Sequence, residues 1–232
     1  MGKTKKGQKA KLEIVTQSRD VFNRRGIHIT LGELASELGL GVSFITNHFR
    51  TKDHLIVAIA EEFNTRNQEI EKVFSGIPEF SLQRYARHFS AMMDNQYLHR
   101  CAIIAIFSYI NAEKELFREI REYYPRSKDS VRLFVKGLVA EGYLESSILQ
   151  RKGYDNFAFQ FVNLFMSWVV NHALFNVDKT YHEMKPVYLA GIMSSLRPYF
   201  TEKGRLEYEG LNFRKISQAQ EAPEPVLSVQ IT

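Results

Sequence analysis

A short run of residues carries side-chain types that can hold and read DNA: Val42, Ser43, Phe44, Thr46, Asn47 and His48. Asparagine can form two hydrogen bonds with adenine, serine can donate or accept, and an apolar side chain can contact the thymine methyl group. We therefore predict base contacts by the first three residues of the run and by Asn47. Hydroxyl and imidazole groups can also bind phosphate oxygens, which position a protein without reading sequence. Thr46 and His48 are candidates for that role.

The element before this run is predicted to be a short helix. Its apolar residues recur at three- and four-residue steps, which is the spacing of one helix face: Leu31, Leu34, Ala35 and Leu38. Thr30 stands at the N-cap position with Glu33 three residues later, so the two form a capping box. Gly39 follows the last apolar residue, where glycine ends a helix in a left-handed turn at little cost.

A second short helix is predicted from the inward spacing of Val42, Ile45 and Phe49, which leaves the hydrogen-bonding residues between them facing outward. For Phe44, packing back onto the first helix is an equal alternative to a base contact. Two short helices around a glycine-containing turn indicate a helix-turn-helix, whose second helix fits the major groove of DNA.

In order and spacing, these residues resemble the N-terminal DNA-binding domain of the TetR family of bacterial repressors. The resemblance extends over about residues 10 to 60 and is only architectural beyond them. It depends on Phe22, Gly26, Thr30, Leu34, Ala35, Leu38, Gly39, His48, Phe49, Lys52 and Leu55.

The resemblance implies that Lys52 and His48 contact the DNA backbone. Thr30, at a helix N-terminus with free backbone N–H groups, also suits a phosphate. Two positions depart from the family pattern: Thr46 stands where a phosphate-binding tyrosine is usual, and Gly41 where a serine usually caps the recognition helix. The predicted DNA-binding residues are Thr30, Val42, Ser43, Phe44, Thr46, Asn47, His48 and Lys52.

The excess positive charge of the chain is concentrated in its first 55 residues. This segment holds ten Lys and Arg against five Asp and Glu, which equals the net charge of +5 of the whole chain. A lysine-rich tail alone would equally serve solubility. Beside a helix-turn-helix, however, the charge favours a phosphate-binding face.

Apolar periodicity and breaks predict an all-α protein with a three-helix DNA-binding domain and a larger helical domain. We expect a flexible basic arm at 1–9, the helix-turn-helix domain at 10–55, a helical ligand-binding and dimerisation domain at 56–203, and a largely irregular extension at 204–232. The expected helices outside the motif span residues 10–25, 52–74, 80–94, 99–111, 113–123, 127–141, 154–177 and 182–200.

For the larger domain, the resemblance implies an apolar small-molecule ligand among the central helices and a homodimer formed through residues 154–177 and 182–200. Methionine and aromatic side chains suit an adaptable apolar pocket. For any one of them, plain core packing is the alternative. The ligand candidates are Tyr85, Phe89, Met92, Met93, Phe107, Tyr109, Tyr123, Tyr124, Phe165 and Trp168.

The helix predicted at 154–177 is mostly apolar but carries one neutral polar stripe at helical spacing: Asn156, Gln160, Asn163, Ser167 and Asn171. Buried amides need hydrogen-bond partners, so the stripe can cross a dimer interface, line a ligand pocket or face water. Although 22 consecutive residues here lack charge, the interrupting polar residues argue against a membrane span.

Catalysis has little support in the sequence. Cys101 lies near His99 and His88, but an apolar helix surrounds it, and a Gly-rich phosphate loop and a nucleophile elbow are both missing. No two of the seven histidines are three or four residues apart, so we expect neither a metal site nor a cofactor.

We therefore expect a cytoplasmic, dimeric DNA-binding regulator of transcription, a repressor that binds a palindromic operator and is released by a small apolar effector. A single cysteine rules out an intrachain disulfide, and no apolar signal core follows the N-terminal lysines. The alternatives are a DNA-binding dimer without any effector and, remotely, a thiol-dependent enzyme.

Overall fold

The computed structural model describes residues 3–108 and 123–219, and within these ranges the chain is helical without a β-strand. A single isolated bridge pairs Leu144 with Phe200. The α-helices are α1 (Lys3–Arg25), α2 (Leu31–Glu37), α3 (Val42–Thr46), α4 (Lys52–Ser75), α5 (Leu82–Leu98), α6 (Arg100–Ser108), α7 (Tyr123–Ala140), α8 (Arg151–Phe175), α9 (Tyr181–Ser194), α10 (Glu202–Gly210) and α11 (Phe213–Gln218). Short 3-10 turns span Ser146–Leu149 and Arg197–Tyr199. The all-α prediction is confirmed.

The chain divides into two compact units. Unit 1 comprises the described residues of 1–66 and 95–122, and unit 2 comprises those of 67–94 and 123–232. Helix α4 therefore begins in unit 1 and ends in unit 2, and α5 does the reverse. Helix α6 belongs to unit 1 although it is distant in sequence from α1–α3. A functional boundary near residue 55 stays a prediction.

Unit 1 is held by one apolar core to which α1, α2, α3, α4 and α6 all contribute. Its members include Ile14, Val21, Phe22, Leu34, Ala35, Ile45, Phe49, Leu55, Ile59, Cys101 and Ala105. Each fully buried Val, Leu, Ile or Phe side chain among them contributes about 1.5–3 kcal/mol by leaving water. The inward faces predicted for α2 and α3 are confirmed, except that Val42 is 45% exposed, because it stands at the first turn of α3 on its outer side.

Helix ends in unit 1 follow the predicted signals. The Thr30 hydroxyl accepts from the Glu33 backbone N–H at 3.2 Å, and the Glu33 carboxylate accepts from the Thr30 backbone N–H at 2.7 Å. Gly26 and Gly39 adopt φ values of 83° and 64°, in the region where a Cβ would clash with the backbone. These signals fix the turns on both sides of α2.

Unit 2 has an aromatic core that links α5, α7 and α8. The Phe89 ring centroid lies 5.3 Å from Phe134, 5.0 Å from Phe161 and 5.5 Å from Phe165, in edge-on arrangements. Edge-on contacts stabilise aromatic pairs by more than the burial of their surface area alone. The predicted central helices are thus brought together by this cluster.

One fully buried cation also organises unit 2. The Lys185 ammonium on α9 is 1% exposed and donates to Asp94 Oδ2 at 2.8 Å and to the backbone oxygen of Ser217 at 3.0 Å. The Tyr181 hydroxyl donates to the other oxygen of Asp94 at 2.8 Å. Helix α11 is therefore tied to α9 by a charge that has no access to water.

Two expected irregular segments are helical instead. Helix α1 starts at Lys3, so most of the expected flexible arm at 1–9 is helix. At the other end, Thr201 and Asn212 accept hydrogen bonds from backbone N–H groups and cap α10 and α11. Buried Ile216 anchors the second of these. The prediction of an irregular extension from 204 is therefore wrong up to residue 218.

The middle of the chain also differs from the prediction. Helix α5 extends to Leu98, beyond the end predicted at residue 94. Residues 109–111 of the helix predicted at 99–111, and almost all of the helix predicted at 113–123, lie outside the described residues. Helix α7 begins at Tyr123 and runs through Pro125. A proline in the first turn is tolerated because its missing N–H would have no partner there.

Candidate nucleic-acid interface

Helix α3 presents a polar outer face over a buried inner one. Ile45 is 0% and Phe49 3% exposed, whereas Val42 and Phe44 are 45% and 43% exposed. Ser43, Thr46 and Asn47 are exposed as well, and His48 is half-buried. The structure therefore brings the predicted base-contact residues together on one accessible surface, although their contacts with DNA stay a prediction.

Phe44 contacts His48 rather than the preceding helix in its described ring contact. The two ring centroids are 5.6 Å apart and nearly perpendicular. This arrangement restrains the imidazole beside the recognition helix. A base contact by Phe44 and its packing onto α2 both stay predictions.

Thr46 uses its hydroxyl within the helix. The Oγ donates to the backbone oxygen of Ser43 at 3.3 Å, which is a common local bond for threonine. A hydrogen bond from this hydroxyl to a phosphate would have to replace its bond to Ser43, and phosphate binding by Thr46 stays a prediction.

Thr30 is committed to the capping box. Its hydroxyl donates to Glu33 Oε2 at 2.8 Å and accepts from the Glu33 N–H. Hydrogen bonds from the Thr30 backbone and side chain hold the pKa of the exposed Glu33 carboxyl below its ordinary value. Phosphate binding at this helix end stays a prediction, and its donors would be the backbone N–H groups of Leu31 and Gly32, which a helix leaves without internal partners.

Lys52 has a structural task that the sequence did not indicate. Its Nζ donates to the backbone oxygens of Ile27 and Ile29 at 2.8 and 3.0 Å. The ammonium thereby fixes the turn that leads into Thr30 and keeps one N–H for a further acceptor. No sequence signal could reveal this, because the partners are carbonyl groups that every residue has.

Basic side chains precede and follow the helix-turn-helix along the chain, and they differ in how far they are already paired. Arg25 donates to Glu37 at 2.6 Å, and Arg24 lies 3.8 Å from the same carboxylate. Arg50, just after α3, is exposed and was not among the predicted contacts. Its charge and position beside the recognition helix are the signal that could have identified it.

The predicted ligand residues fall into separate groups. Tyr85, Phe89, Met92, Met93 and Phe165 are buried in unit 2. Trp168 packs against Tyr181 at 5.5 Å in the same unit. Phe107 is 38% exposed and belongs to unit 1, so it does not join the aromatic core. Tyr109 and the side chains of Tyr123 and Tyr124 lie outside the described residues.

An open cleft of about 360 Å³ occurs in unit 2 away from these candidates. It is lined by Gln83, Arg87, Gly210, Leu211, Asn212, Lys215, Ile216 and Ala219. None of these residues was predicted to bind a ligand, since the cleft depends on the two C-terminal helices that the sequence did not reveal.

The neutral polar stripe on α8 is exposed in the single chain. Asn156, Gln160, Asn163 and Asn171 are exposed, and Ser167 is half-buried. Large apolar side chains surround the stripe, with Phe159 at 61%, Leu174 at 64% and Phe175 at 75% exposure. The stripe therefore does not line an internal cavity within the described part of unit 2.

Cys101 is buried in the core of unit 1, where burial raises the pKa of its thiol to about 12. A thiol in this state is not a nucleophile. The described residues contain no group of three metal-ligating side chains. Nor does any described helix have the length and apolar character needed to cross a membrane.

Comparison with known proteins supports the family resemblance predicted for the N-terminal part of the chain. Residues 14–59 match the family described as bacterial regulatory proteins, tetR family. Curated proteins gave no sequence match. The match covers all of α2 and α3 and the first turns of α4.

Solved structures share the fold of most of the chain. A gamma-butyrolactone receptor (ArpA-like protein) has 19% identity and a TM-score of 0.68 over 92% of this chain and 98% of its own. A TetR-family transcriptional regulator from Marinobacter aquaeolei VT8 has 18% identity and a TM-score of 0.71 over 89% and 98%. The SmeT–triclosan complex has 12% identity and a TM-score of 0.59 over 83% and 92%. At such identities the likeness establishes a common fold.

Proposed function

We propose that this chain represses transcription by binding a palindromic operator as a dimer. Its residues 14–59 match the tetR family of bacterial regulatory proteins. The observation that carries the proposal is the exposed face of α3, whose polar side chains stand over buried Ile45 and Phe49. Such a helix can enter the major groove while its inner side stays anchored.

Phosphate contacts would hold α3 in the groove. The N-terminus of α2 offers the N–H groups of Leu31 and Gly32, Lys52 offers its remaining N–H, and Arg50 is exposed beside the helix. Because α3 itself carries no charge, these neighbours supply the salt-dependent part of the affinity. Base selection would fall to Ser43 and Asn47.

Dimerisation through α8 and α9 is supported by their exposed apolar residues. Phe159, Leu174 and Phe175 of α8 and Val187 of α9 are 59–75% exposed, and a soluble chain rarely leaves such a group of large side chains uncovered. A two-fold dimer would present two copies of α3 and so require a palindromic operator.

Release by a small apolar effector is supported by two proteins of the same fold. One is named a gamma-butyrolactone receptor and another was solved with triclosan. An effector in the aromatic core of unit 2 would act on the end of α4 that lies in that unit. It would release DNA only if it bound the released form more tightly than the DNA-bound form.

The test is selection of duplexes from a random library by the full chain, followed by titration of the enriched duplex at two salt concentrations. We expect a palindrome whose half-sites lie about one helical turn apart and an affinity that falls steeply with salt. Failure to enrich any sequence at low salt, with dimeric and folded protein, would contradict the proposal.

A panel of apolar compounds then distinguishes the two kinds of regulator. Displacement of the selected duplex by one compound, with an accompanying rise in melting temperature, would support an effector. Operator binding that no compound changes would favour a DNA-binding dimer without one.

A further inference from the structure

Unit 1 contains an ionic group that joins three elements, in which two members are buried and the third, Glu62, is 26% exposed. Arg19 of α1 donates through Nη1 to Glu62 Oε1 of α4 at 2.8 Å. The other oxygen of Glu62 lies 3.5 Å from Nε2 of His99, which stands between α5 and α6. The side chains of Arg19 and His99 are 8% and 0% exposed.

The contacts of His99 determine how many protons it carries. Its Nδ1 lies 3.0 Å from the backbone oxygen of Asn95, and because a carbonyl oxygen can only accept, Nδ1 must bear a hydrogen. A neutral ring would then direct the lone pair of Nε2 at the Glu62 carboxylate, which also only accepts. In the described part of the chain, neither His99 Nε2 nor Glu62 Oε2 has another partner. The geometry therefore requires one additional proton between them.

This additional proton belongs on the imidazole. Burial raises the pKa of Glu62, but the hydrogen bond from His99 and the charge of Arg19 outweigh burial and leave that pKa below its ordinary value. An ionised Glu62 leaves the additional proton to Nε2 of His99, which lies 3.5 Å from the carboxylate.

Other charged groups near the triad do not replace this proton. On α1, Asp20 accepts from Arg19 Nε at 3.2 Å. On α6, Arg100 donates to the backbone oxygens of Tyr97 and Asn23, and the Cys101 thiol donates to the backbone oxygen of Arg19. The ring of Phe63 lies 5.8 Å from His99 and offers no acceptor.

We propose that Arg19, Glu62 and His99 form a proton-dependent clasp that holds α4 to α1 and to the start of α6, so that loss of one proton opens unit 1 and weakens DNA binding. Without that proton, a lone pair on His99 Nε2 and the Glu62 Oε2 atom would face each other, and both of these atoms are buried. The effect on DNA depends on the proposed function. The protonation state does not.

The first experiment measures protonation directly in the full chain. Histidine labelled with ¹⁵N reports by NMR whether each ring nitrogen carries hydrogen, and His99→Gln identifies the signal. We expect both nitrogens of His99 to be protonated at about pH 7.5, where exposed histidines are neutral. A neutral His99 ring at that pH would overturn the proposal.

Glu62→Gln gives a nearly isosteric variant that removes the need for the proton. The amide oxygen can still accept from Arg19, and the amide N–H₂ can donate to an unprotonated Nε2. We expect His99 in this variant to be neutral, with hydrogen on Nδ1 only. Glu71→Gln is the matched control, because Glu71 lies 3.3 Å from His88 in unit 2 and should leave the His99 signals unchanged.

The second experiment measures the consequence for DNA. Affinity of the wild-type chain for the selected duplex should fall about tenfold between about pH 6 and about pH 9 beyond the change seen with Glu62→Gln. Identical pH profiles for the two proteins would overturn control of DNA binding by the clasp. If no duplex binds at any pH, the proposed function fails, and the NMR result still decides whether the clasp exists.

Discussion

At the scale of single residues, Asn47 is the side chain best placed to read a base, because its exposed amide stands at the end of α3. A bidentate pair with adenine contributes about 1–3 kcal/mol of discrimination. Asn47→Ala should therefore weaken binding to the selected duplex by roughly tenfold or more and change binding to random duplex much less. Fluorescence anisotropy with both duplexes measures this. Equal losses of affinity for both duplexes would mean that Asn47 contacts the DNA backbone rather than a base. The control is Asn64→Ala, on the exposed side of α4, which should change neither affinity.

Lys52 gives a second prediction at this scale. Lys52→Met keeps the aliphatic chain but removes the donor to the oxygens of Ile27 and Ile29. Because hydrogen bonds from a charged group contribute about 1.5–3 kcal/mol when shielded, and this side chain is half-buried, we expect the free energy of unfolding to fall by about 1–2 kcal/mol. Urea denaturation measures it. Unchanged stability combined with a shallower salt dependence of DNA binding would mean that Lys52 serves only as a phosphate contact.

At the scale of elements, two helices begin with the same capping box. Thr30 with Glu33 starts α2 in unit 1, and Thr180 with Glu183 starts α9 in unit 2. Thr30→Ala and Thr180→Ala should each lower the free energy of unfolding by about 1 kcal/mol. Only Thr30→Ala should also weaken DNA binding, since α2 positions α3. If the two variants bound DNA with similar affinity, the cap at Thr30 would make no contribution to DNA binding.

Helix α10 depends on a close backbone approach. A Cβ at Gly204 would overlap the backbone oxygen of Tyr143, whereas nothing lies within 4 Å of one at Gly210. Gly204→Ala should therefore lower the melting temperature and expose α10 to limited proteolysis, because backbone atoms cannot give way cheaply. Gly210→Ala should be near neutral. Resistance of the Gly204 variant to proteolysis would show that the loop at 142–143 adapts.

The elements also explain which parts of the fold the sequence could predict. Helix α2 was predictable because Thr30, Glu33 and Gly39 are local signals that act through bonds within a few residues. Helices α10 and α11 were missed because their polar composition resembles a tail, and the contacts that hold them come from residues distant in sequence, such as Tyr143 and Lys185. Apolar periodicity also could not predict that α6 belongs to unit 1, because that assignment depends on contacts between residues distant in sequence.

The candidate site could also be predicted only in part from the sequence. Residue type and spacing located the outer face of α3, including Ser43 and Asn47. They did not reveal that the Thr30 hydroxyl and the Lys52 ammonium are already used within the protein, because such commitments depend on distances between backbone and side-chain atoms. Val42 shows why apolar spacing alone is not sufficient to predict burial. A residue at the start of a helix can have the spacing of the buried face and still be exposed.

At the scale of the whole molecule, the dimer is the prediction with the largest effect. Phe159→Asp places a charge in the exposed apolar face of α8, where Phe159 is 61% exposed, and burial of an unpaired charge in an interface costs several kcal/mol. Light scattering should then give a monomer, and affinity for a palindromic duplex should fall by about 100-fold or more. Leu133→Asp, at an equally exposed apolar position on α7, should remain dimeric. Dimers in both variants would place the interface elsewhere.

The buried ammonium of Lys185 has a practical consequence for dissecting this chain. A fragment that stops near residue 203, where the sequence alone would put the end of the folded region, lacks the backbone oxygen of Ser217 and opens the site to water. Lys185 would keep Asp94 as a partner but lose the backbone oxygen of Ser217 as an acceptor. Expression plasmids for crystallisation should therefore encode at least residues 1–219, and an affinity tag belongs after that point or at the other terminus.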